Sequence, residues 1–530
     1  MKRFIQKGIR ELLMPFEKYT VPFVLVLLLA GLPDFIFLVK SHIMPLGQVA
    51  MSMFAAYVIT LAGSLLRKYK YLCGIYAVTV AIWLLMLFAV DCYCVFELEE
   101  VFSKKIVAIV LGTNPREALE FVQTNFSLQA SLLTVAVITV FAIAAILQRY
   151  WVRRNVKLPR IVSVILLAVS LCGGGLNYIR GHVLDDVFEK TARFFQLQIP
   201  PELDEYFTRP EIVSDRNAMP ENIVVIIGES SSRYHSSLYS YDKNTNPALS
   251  VLRDSSLLYI FNAVSSPETH TIESLTAVMS TYRPEYGDSV DWYRCTTVQE
   301  VMNKAEYKSF WISNQSKRGL YDNIITKYAE LCDVNSFAGN IYSGIDRKSC
   351  DGILLDEVQP FLNDSAQNKL YFIHLMGSHM KFKMRYPAEF SKFKPEDYTA
   401  YPESQRQILS EYDNSLLYSD YVVSELIRLY EDKETLVVYF SDHALDIYQT
   451  DSGYFGFAKN NPESDRYGKS IPFMIYMSPK YKAKYPEVVQ RIAANVNTEF
   501  RTDDFIYFIM DIAGIRFAGN DDVNKYTLLK

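Results

Sequence analysis

Apolar residues are arranged in two different ways along this chain. Up to about residue 180 they come in long, nearly uninterrupted runs, near 20–39, 44–66, 71–91, 128–147 and 160–178. A helix needs roughly 20 consecutive apolar residues to cross the hydrocarbon of a bilayer. The pattern therefore predicts a five-helix transmembrane domain over 1–180. From Glu221 the runs become short and β-branched, recurring at 223–227, 257–261, 309–312, 370–375, 436–440 and 471–477. Helical stretches such as 408–430 lie between them. This alternation predicts a largely parallel sheet with helices on both faces, an α/β domain over 220–530.

Two segments fit neither pattern. The stretch 103–127 is too polar to cross a bilayer. Its Thr113-Asn114-Pro115 followed by good helix formers reads as a helix start, with Asn114 as cap and Pro115 in the first turn. It predicts a short helix at the membrane–water boundary. Residues 181–219, interrupted by Pro200, Pro201 and Pro210, read as a connector.

Charge sets the expected orientation. Lys2, Arg3, Lys7 and Arg10 precede the first run, Arg67, Lys68 and Lys70 follow the second, and Arg149, Arg153, Arg154, Lys157 and Arg160 follow the fourth. With five spans these stretches share one side, which the positive-inside rule makes cytoplasmic. The α/β domain is then exported, as expected of a multi-pass inner-membrane protein with a cytoplasmic N-terminus and a periplasmic C-terminal domain. The first run is too long for a cleaved signal peptide. Net charge over the 530 residues is −5, which with no basic cluster in the soluble part excludes nucleic acid as a partner. Of the seven cysteines, Cys332 and Cys350 are the pair expected to bridge in an oxidising compartment, with Cys295 left over.

Candidate chemistry sits where strands end. Glu229 follows the apolar run 222–228, and Asp442-His443 follows 435–441. In an open α/β sheet, ligands bind at the carboxyl ends of parallel strands. Two carboxylates and an imidazole brought there suit a divalent metal, zinc above all. The hydroxyl-rich loop 264–271 runs into a helix-like stretch, 272–280. A hydroxyl at a helix start faces the positive end of the dipole, and a nearby metal would activate it as a nucleophile. His374, inside an apolar strand, reads as a satisfied core histidine, and His379, beyond the strand end, as a functional one.

Gly228-Glu229-Ser230-Ser231-Ser232-Arg233, then His235, Tyr239 and Asn246-Pro247, resembles the opening motif of the phosphoethanolamine transferases of the alkaline phosphatase/sulfatase superfamily. Further blocks resemble that family in order: 265–275, Trp311 to Gln315, Gly377-Ser378-His379, Tyr412-Asp413-Asn414-Ser415 and Ser441-Asp442-His443. The Thr113 to Ala118 block and the five-span pattern extend the similarity to nearly the whole chain.

The resemblance implies an α/β/α sandwich of the sulfatase type and a zinc-dependent transferase. It implies that Glu229, Asp442 and His443 hold one zinc, with Thr271 as fourth ligand and phosphorylated nucleophile. His379 becomes a general acid/base or a ligand of a second metal. Thr113, Glu117, Asn314 and Lys317 become lipid head-group contacts. The implied donor is phosphatidylethanolamine. The implied acceptor is lipid A, the lipopolysaccharide core or another envelope glycan, with polymyxin resistance as an expected consequence. Two departures are visible. Ala444 and Leu445 replace the family's usual glycine and glutamate, and no histidine follows His443, so one zinc site is implied and a second is incomplete. Glycerol-phosphate transfer, or a degenerate non-catalytic envelope protein, remains the alternative. A sulfatase activity is disfavoured, because the nucleophile loop lacks a Cys/Ser-x-Pro-x-Arg signature.

Overall fold

The computed structural model describes residues 2–40, 46–96, 139, 143, 146–150, 158–180, 210–290, 292–315, 317, 324–338, 350–450, 454–457 and 461–530. They belong to two compact units.

The N-terminal unit contains helices α1 (Lys2–Glu17), α2 (Thr20–Lys40), α3 (Leu46–Leu65), α4 (Lys70–Phe96) and α5 (Arg160–Arg180). Phe16, Phe23, Val26, Leu29, Ala56, Tyr57 and Leu84 form its core. Val49–Lys68 is a helix long and apolar enough to cross a bilayer. Gln6–Glu17 and Thr20–Leu32 pass the same criterion only as a pair bent by 63°. Lys70–Leu85 and Arg160–Cys172 are shorter apolar helices. Among the described residues there is thus one clear spanning helix, or two with the bent pair, against the five expected. Most of the run near 128–147, the boundary helix at 103–127 and the greater part of the connector lie outside the described residues.

The C-terminal unit is an α/β domain around one seven-stranded sheet. Its strands are β1 (Asn222–Gly228), β2 (Leu258–Ile260), β3 (Lys308–Ser313), β4 (Val334–Phe337), β5 (Lys369–His374), β6 (Thr435–Ser441) and β7 (Phe473–Met477). The order across the sheet is β2-β7-β6-β1-β5-β3-β4. Pairing is parallel from β6 through β4, and β7 runs antiparallel to both of its neighbours. All six apolar runs read from the sequence are strands here. The seventh, β4, is a half-buried edge strand whose Val-Asn-Ser-Phe carries too little apolar pattern to be read.

Alternation along β1 explains the layering, because successive side chains on a strand point to opposite faces. Ile223, Val225 and Ile227 pack with Phe440, Phe473, Leu275 of α6 (Thr271–Val278) and Phe508 of α8 (Phe505–Ile512). Val224 and Ile226 pack on the other face with Tyr371 and with Val422 and Leu426 of α7 (Glu403–Arg428). Both faces are covered, as an all but parallel sheet requires. The layering also corrects the expected disulfide. Cys332 is buried in the first core and Cys350 packs against the second, so the sheet separates them, and neither forms a disulfide.

Candidate active site

Parallel register places the loops after β1, β3, β5 and β6 along one edge of the sheet. Gly228 pairs with Ser441, Ile227 with His374, and His374 with Ser313. Glu229 and Asp442 are each the first residue past their strands. The turn after β5 is packed onto Glu229: Ser378 N–H donates to the Glu229 carbonyl at 2.9 Å. Gly377 makes this approach possible. Its φ is +48°, and a Cβ there would lie 2.7 Å from the Glu229 carbonyl oxygen and 2.8 Å from its nitrogen. Ser230 is also left-handed, with φ 57°. Its N–H donates to Asp442 Oδ1 at 3.2 Å, tying the β1 and β6 loops together.

Glu229, Asp442 and His443 converge there, all buried, with one ligand atom each within 4.8 Å of the others. His443 Nε2 is 3.3 Å from Glu229 Oε1 and 3.6 Å from Asp442 Oδ2. His443 Nδ1–H donates to its neighbour's carbonyl, Ala444 O, at 2.9 Å, which turns Nε2 toward the carboxylates. Thr271, first residue of α6, donates its Oγ1–H to Glu229 Oε2 at 3.1 Å and lies 3.4 Å from His443 Nε2. The four residues expected around one zinc therefore meet.

The electrostatics are those of a site built for a cation. Burial, then the charge of Glu229, pushes the Asp442 carboxyl up to about 7. Burial opposes charge on His443, but Asp442 and Glu229 outweigh it and push the imidazole up to about 9. Glu229 is drawn below the ordinary range, its burial overcome by His443 and Ser230. Asp442 Oδ2 is buried and makes no hydrogen bond. An orphaned carboxylate oxygen beside a second carboxylate and an imidazole nitrogen fits a zinc ion's preference for nitrogen and oxygen donors.

His379 lies in the turn after β5. Its charge acts on Glu229, and its Nδ1 is buried without a hydrogen-bond partner. Asn314 does not reach the cluster: its Nδ2 donates to Asp351 Oδ1 at 2.8 Å. Lys317 pairs with Glu330 at 3.5 Å. Thr113 and Glu117 lie outside the described residues. His374 is only half satisfied, with Nδ1 3.4 Å from Ser313 Oγ and Nε2 unpaired, and burial pushes it down to about 4.

Two contributors were missed by sequence reasoning. Gln315 Nε2 donates to Glu229 Oε2 and to the Leu375 carbonyl, each at 3.2 Å. A polar amide just past an apolar strand was the available signal. Asp351 accepts the Met376 and Gly377 N–H groups, both at 2.8 Å, and so shapes the turn that presses on Glu229. It follows a segment with no strand-like pattern and gave no signal.

Known proteins resemble the chain along most of its length. The sulfatase family profile matches residues 221–515. Phosphoethanolamine transferase EptC of Escherichia coli (strain K12) is 28% identical over 476 residues, 83% of this chain and 80% of that protein. Kdo(2)-lipid A phosphoethanolamine 7''-transferase of the same strain is 26% identical, covering 71% of each. The C-terminal periplasmic domain of Escherichia coli EptC, crystallised in complex with Zn, superposes with a TM-score of 0.56 at 28% identity, covering 61% of this chain and 89% of that one. The integral membrane lipooligosaccharide phosphoethanolamine transferase A of Neisseria meningitidis gives a TM-score of 0.64 at 17% identity, covering 96% and 97%. That last likeness is one of fold.

Proposed function

The chain belongs to the sulfatase family, and from that premise we propose that it is a zinc-dependent enzyme transferring phosphoethanolamine from phosphatidylethanolamine to an envelope acceptor such as lipid A or the lipopolysaccharide core. One observation carries the reading. A hydroxyl at the start of a helix is held 3.1 Å and 3.4 Å from two members of a buried Glu–Asp–His set. Relatives named phosphoethanolamine transferases supply the group transferred, and one of them names Kdo(2)-lipid A as its acceptor.

Glu229, Asp442 and His443 would hold the zinc. When bound, it supplies a Lewis acid that lowers the pKa of the Thr271 hydroxyl and offsets charge on the phosphoryl oxygens. Thr271 Oγ attacks the donor phosphorus in line, and diacylglycerol leaves. The positive end of the α6 dipole favours the anionic oxygens that gather there. Gln315 keeps the Glu229 carboxylate turned toward Thr271. His379 holds a proton for exchange with the departing and arriving oxygens through its uncommitted Nδ1. In the second displacement the acceptor oxygen takes the phosphoryl group and Thr271 is restored, which predicts ping-pong kinetics.

The same reading places the protein in the inner membrane with five spans, a cytoplasmic N-terminus and a periplasmic catalytic domain. Apolar side chains turned outward on α4 and α5, including Tyr71 at 86% and Ile161 at 77% exposure, support a lipid environment. Thr113, Glu117 and Lys317 are proposed to meet the donor head group. Asn314, whose Nδ2 also donates to Asp351 Oδ1, is proposed to meet it as well.

Mass spectra of lipid A and core oligosaccharide test this reading. Cells expressing the wild type should show an increment of about 123 Da, the mass of the transferred group, absent with Thr271→Ala. An increment of about 154 Da would instead mark glycerol phosphate as the transferred group. No increment, with no zinc in the purified protein, would mark a non-catalytic chain. Masking lipid A phosphates with an ammonium group should also lower polymyxin sensitivity by weakening attraction for the cationic peptide. Unchanged sensitivity with lipid A modified would refute that consequence.

A further inference from the structure

Three aromatic rings meet beside the nucleophile. Phe457 stacks on His270, with centroids 4.7 Å apart and planes 11° apart. It also lies tilted on His443, at 5.4 Å and 45°. The two histidine rings are 6.4 Å apart. Their exposure is graded. His443 is fully buried, His270 is 9% exposed, and Phe457 is half-buried. Phe457 is therefore the outer ring, over one histidine of the charged cluster and one that immediately precedes Thr271.

Its position is well anchored. Phe457 follows an antiparallel strand pair in which Phe455–Gly456 pairs with Asp446–Ile447. The Asp446 carboxylate accepts from Gln449 N–H at 3.0 Å and Ser464 Oγ at 3.2 Å. Phe457 packs into an apolar group with Leu445 and Ile447. One side of a site made of carboxylates, imidazole and hydroxyls is thus roofed by hydrocarbon.

The reaction gives such a roof a use. In transfer, an acceptor oxygen bonds to phosphorus, the phosphorus–Oγ bond of Thr271 breaks, and the acceptor's O–H proton passes to Oγ. In hydrolysis, a water oxygen forms the bond, the same bond breaks, one water proton passes to Oγ, and the other stays on free phosphoethanolamine. Leaving group and charge are identical, so Glu229, Asp442 and His443 cannot distinguish the two reactions. Access can, because excluding water from a closed site suppresses this side reaction. We propose that Phe457, stacked on His270, is an apolar cover that keeps water from the phosphorylated Thr271 and so favours transfer over hydrolysis. Phe457 is then a specificity-determining residue, and the inference rests on the transferase reading above.

The full chain in detergent micelles, given phosphatidylethanolamine labelled in its ethanolamine and no acceptor, tests it. The wild type should release diacylglycerol in a burst stoichiometric with enzyme, then free phosphoethanolamine only slowly. Phe457→Ala should release free phosphoethanolamine about tenfold faster after the same burst, a change of about 1.4 kcal/mol in barrier. Phe457→Leu, which keeps hydrocarbon in place, should stay near the wild type. Zinc content should match in all three proteins. An unchanged release rate in Phe457→Ala, with zinc and burst intact, overturns the cover. Loss of zinc from Phe457→Ala also overturns it, because the ring would then serve only to seat His443. No diacylglycerol from the wild type overturns the transferase reading, and this inference with it.

Discussion

Two buried histidine–carboxylate clusters flank the loop that begins at Glu229, and they are built differently. In one, His235 Nδ1 is 2.7 Å from Asp413 Oδ1. Tyr241 and Tyr398 each donate a hydroxyl to Asp413 Oδ2, at 2.7 and 2.5 Å. One carboxylate meets three donors, and nothing further is needed. In the other, the Glu229 and Asp442 carboxylates share one imidazole, and Asp442 Oδ2 makes no hydrogen bond. A satisfied buried network stiffens a fold. An unsatisfied one of excess negative charge waits for a cation. Neighbouring α7 serves both, since its Asp413 anchors the first while Tyr412 braces the second. Tyr412 OH accepts Ser232 N–H and donates to Ser230 O, both at 2.8 Å.

The largest expected effect separates chemistry from binding. Thr271→Ala should cut transfer by roughly a thousandfold or more, because the second displacement has nothing to act on. Zinc content should be retained, since Glu229, Asp442 and His443 remain. Transfer surviving in labelled-lipid assays would remove Thr271 from its role. Next in size is a test of the satisfied cluster. Asp413→Asn replaces an acceptor that holds a histidine and two tyrosines. Breaking a buried pair of this kind costs about 3–5 kcal/mol. Denaturant unfolding should show that loss, while zinc per folded molecule stays at the wild-type level. A protein that loses zinc but keeps its stability would reverse the two assignments.

What the sequence revealed follows from what one dimension can carry. The apolar runs and the polar residues directly past them are local, so Glu229 and Asp442-His443 were legible as the ends of strands. Their meeting needed only the rule that parallel strands present their carboxyl ends together. Thr271 was legible as a hydroxyl at a helix start. Gln315 was not, because its contact with Glu229 depends on the register between β1, β5 and β3. Cys332 and Cys350 were misread because sequence spacing says nothing about which face of a sheet each residue reaches. The Tyr412 to Ser415 block was legible only as a resemblance. Its packing carries the brace on the Ser230–Ser232 loop, a long-range contact that no periodicity encodes. Hydropathy marks where apolar runs lie but not how the backbone bends between them, as it does by 63° between Gln6–Glu17 and Thr20–Leu32.

A smaller effect is expected where the unsatisfied cluster is only steadied. Gln315→Ala removes the amide that orients Glu229 without touching a ligand. Outer-shell partners of this kind typically change metal affinity about 10–100-fold. Zinc titration against a competing chelator should show weakening in that range, with the unfolding midpoint of the metal-free protein nearly unchanged. Wild-type affinity would mean that Ser230, whose Oγ donates to Glu229 Oε1 at 2.6 Å, suffices alone.

The smallest expected effect carries the sharpest sign. In the metal-free protein, Asp442→Asn removes a buried negative charge that has a carboxylate neighbour and an oxygen without a hydrogen bond. It should therefore stabilise that form, by about 1 kcal/mol, where Asp413→Asn destabilises. The sign depends on pH. Burial and Glu229 raise the Asp442 carboxyl to about 7 in the folded state, above its value in the unfolded chain. A raised carboxyl contributes stability that is present at low pH and lost as pH rises through the folded value. The asparagine does not titrate. The two proteins should thus unfold alike below about pH 4, the ordinary carboxylate value, and the gain should open as pH rises from there and be complete above about 7. Added zinc should invert the order, because the wild type then regains a charged ligand that asparagine cannot supply. A metal-free Asp442→Asn protein less stable than wild type at pH 8 would mean that the cluster is already satisfied without a cation, and the contrast with Asp413 would collapse.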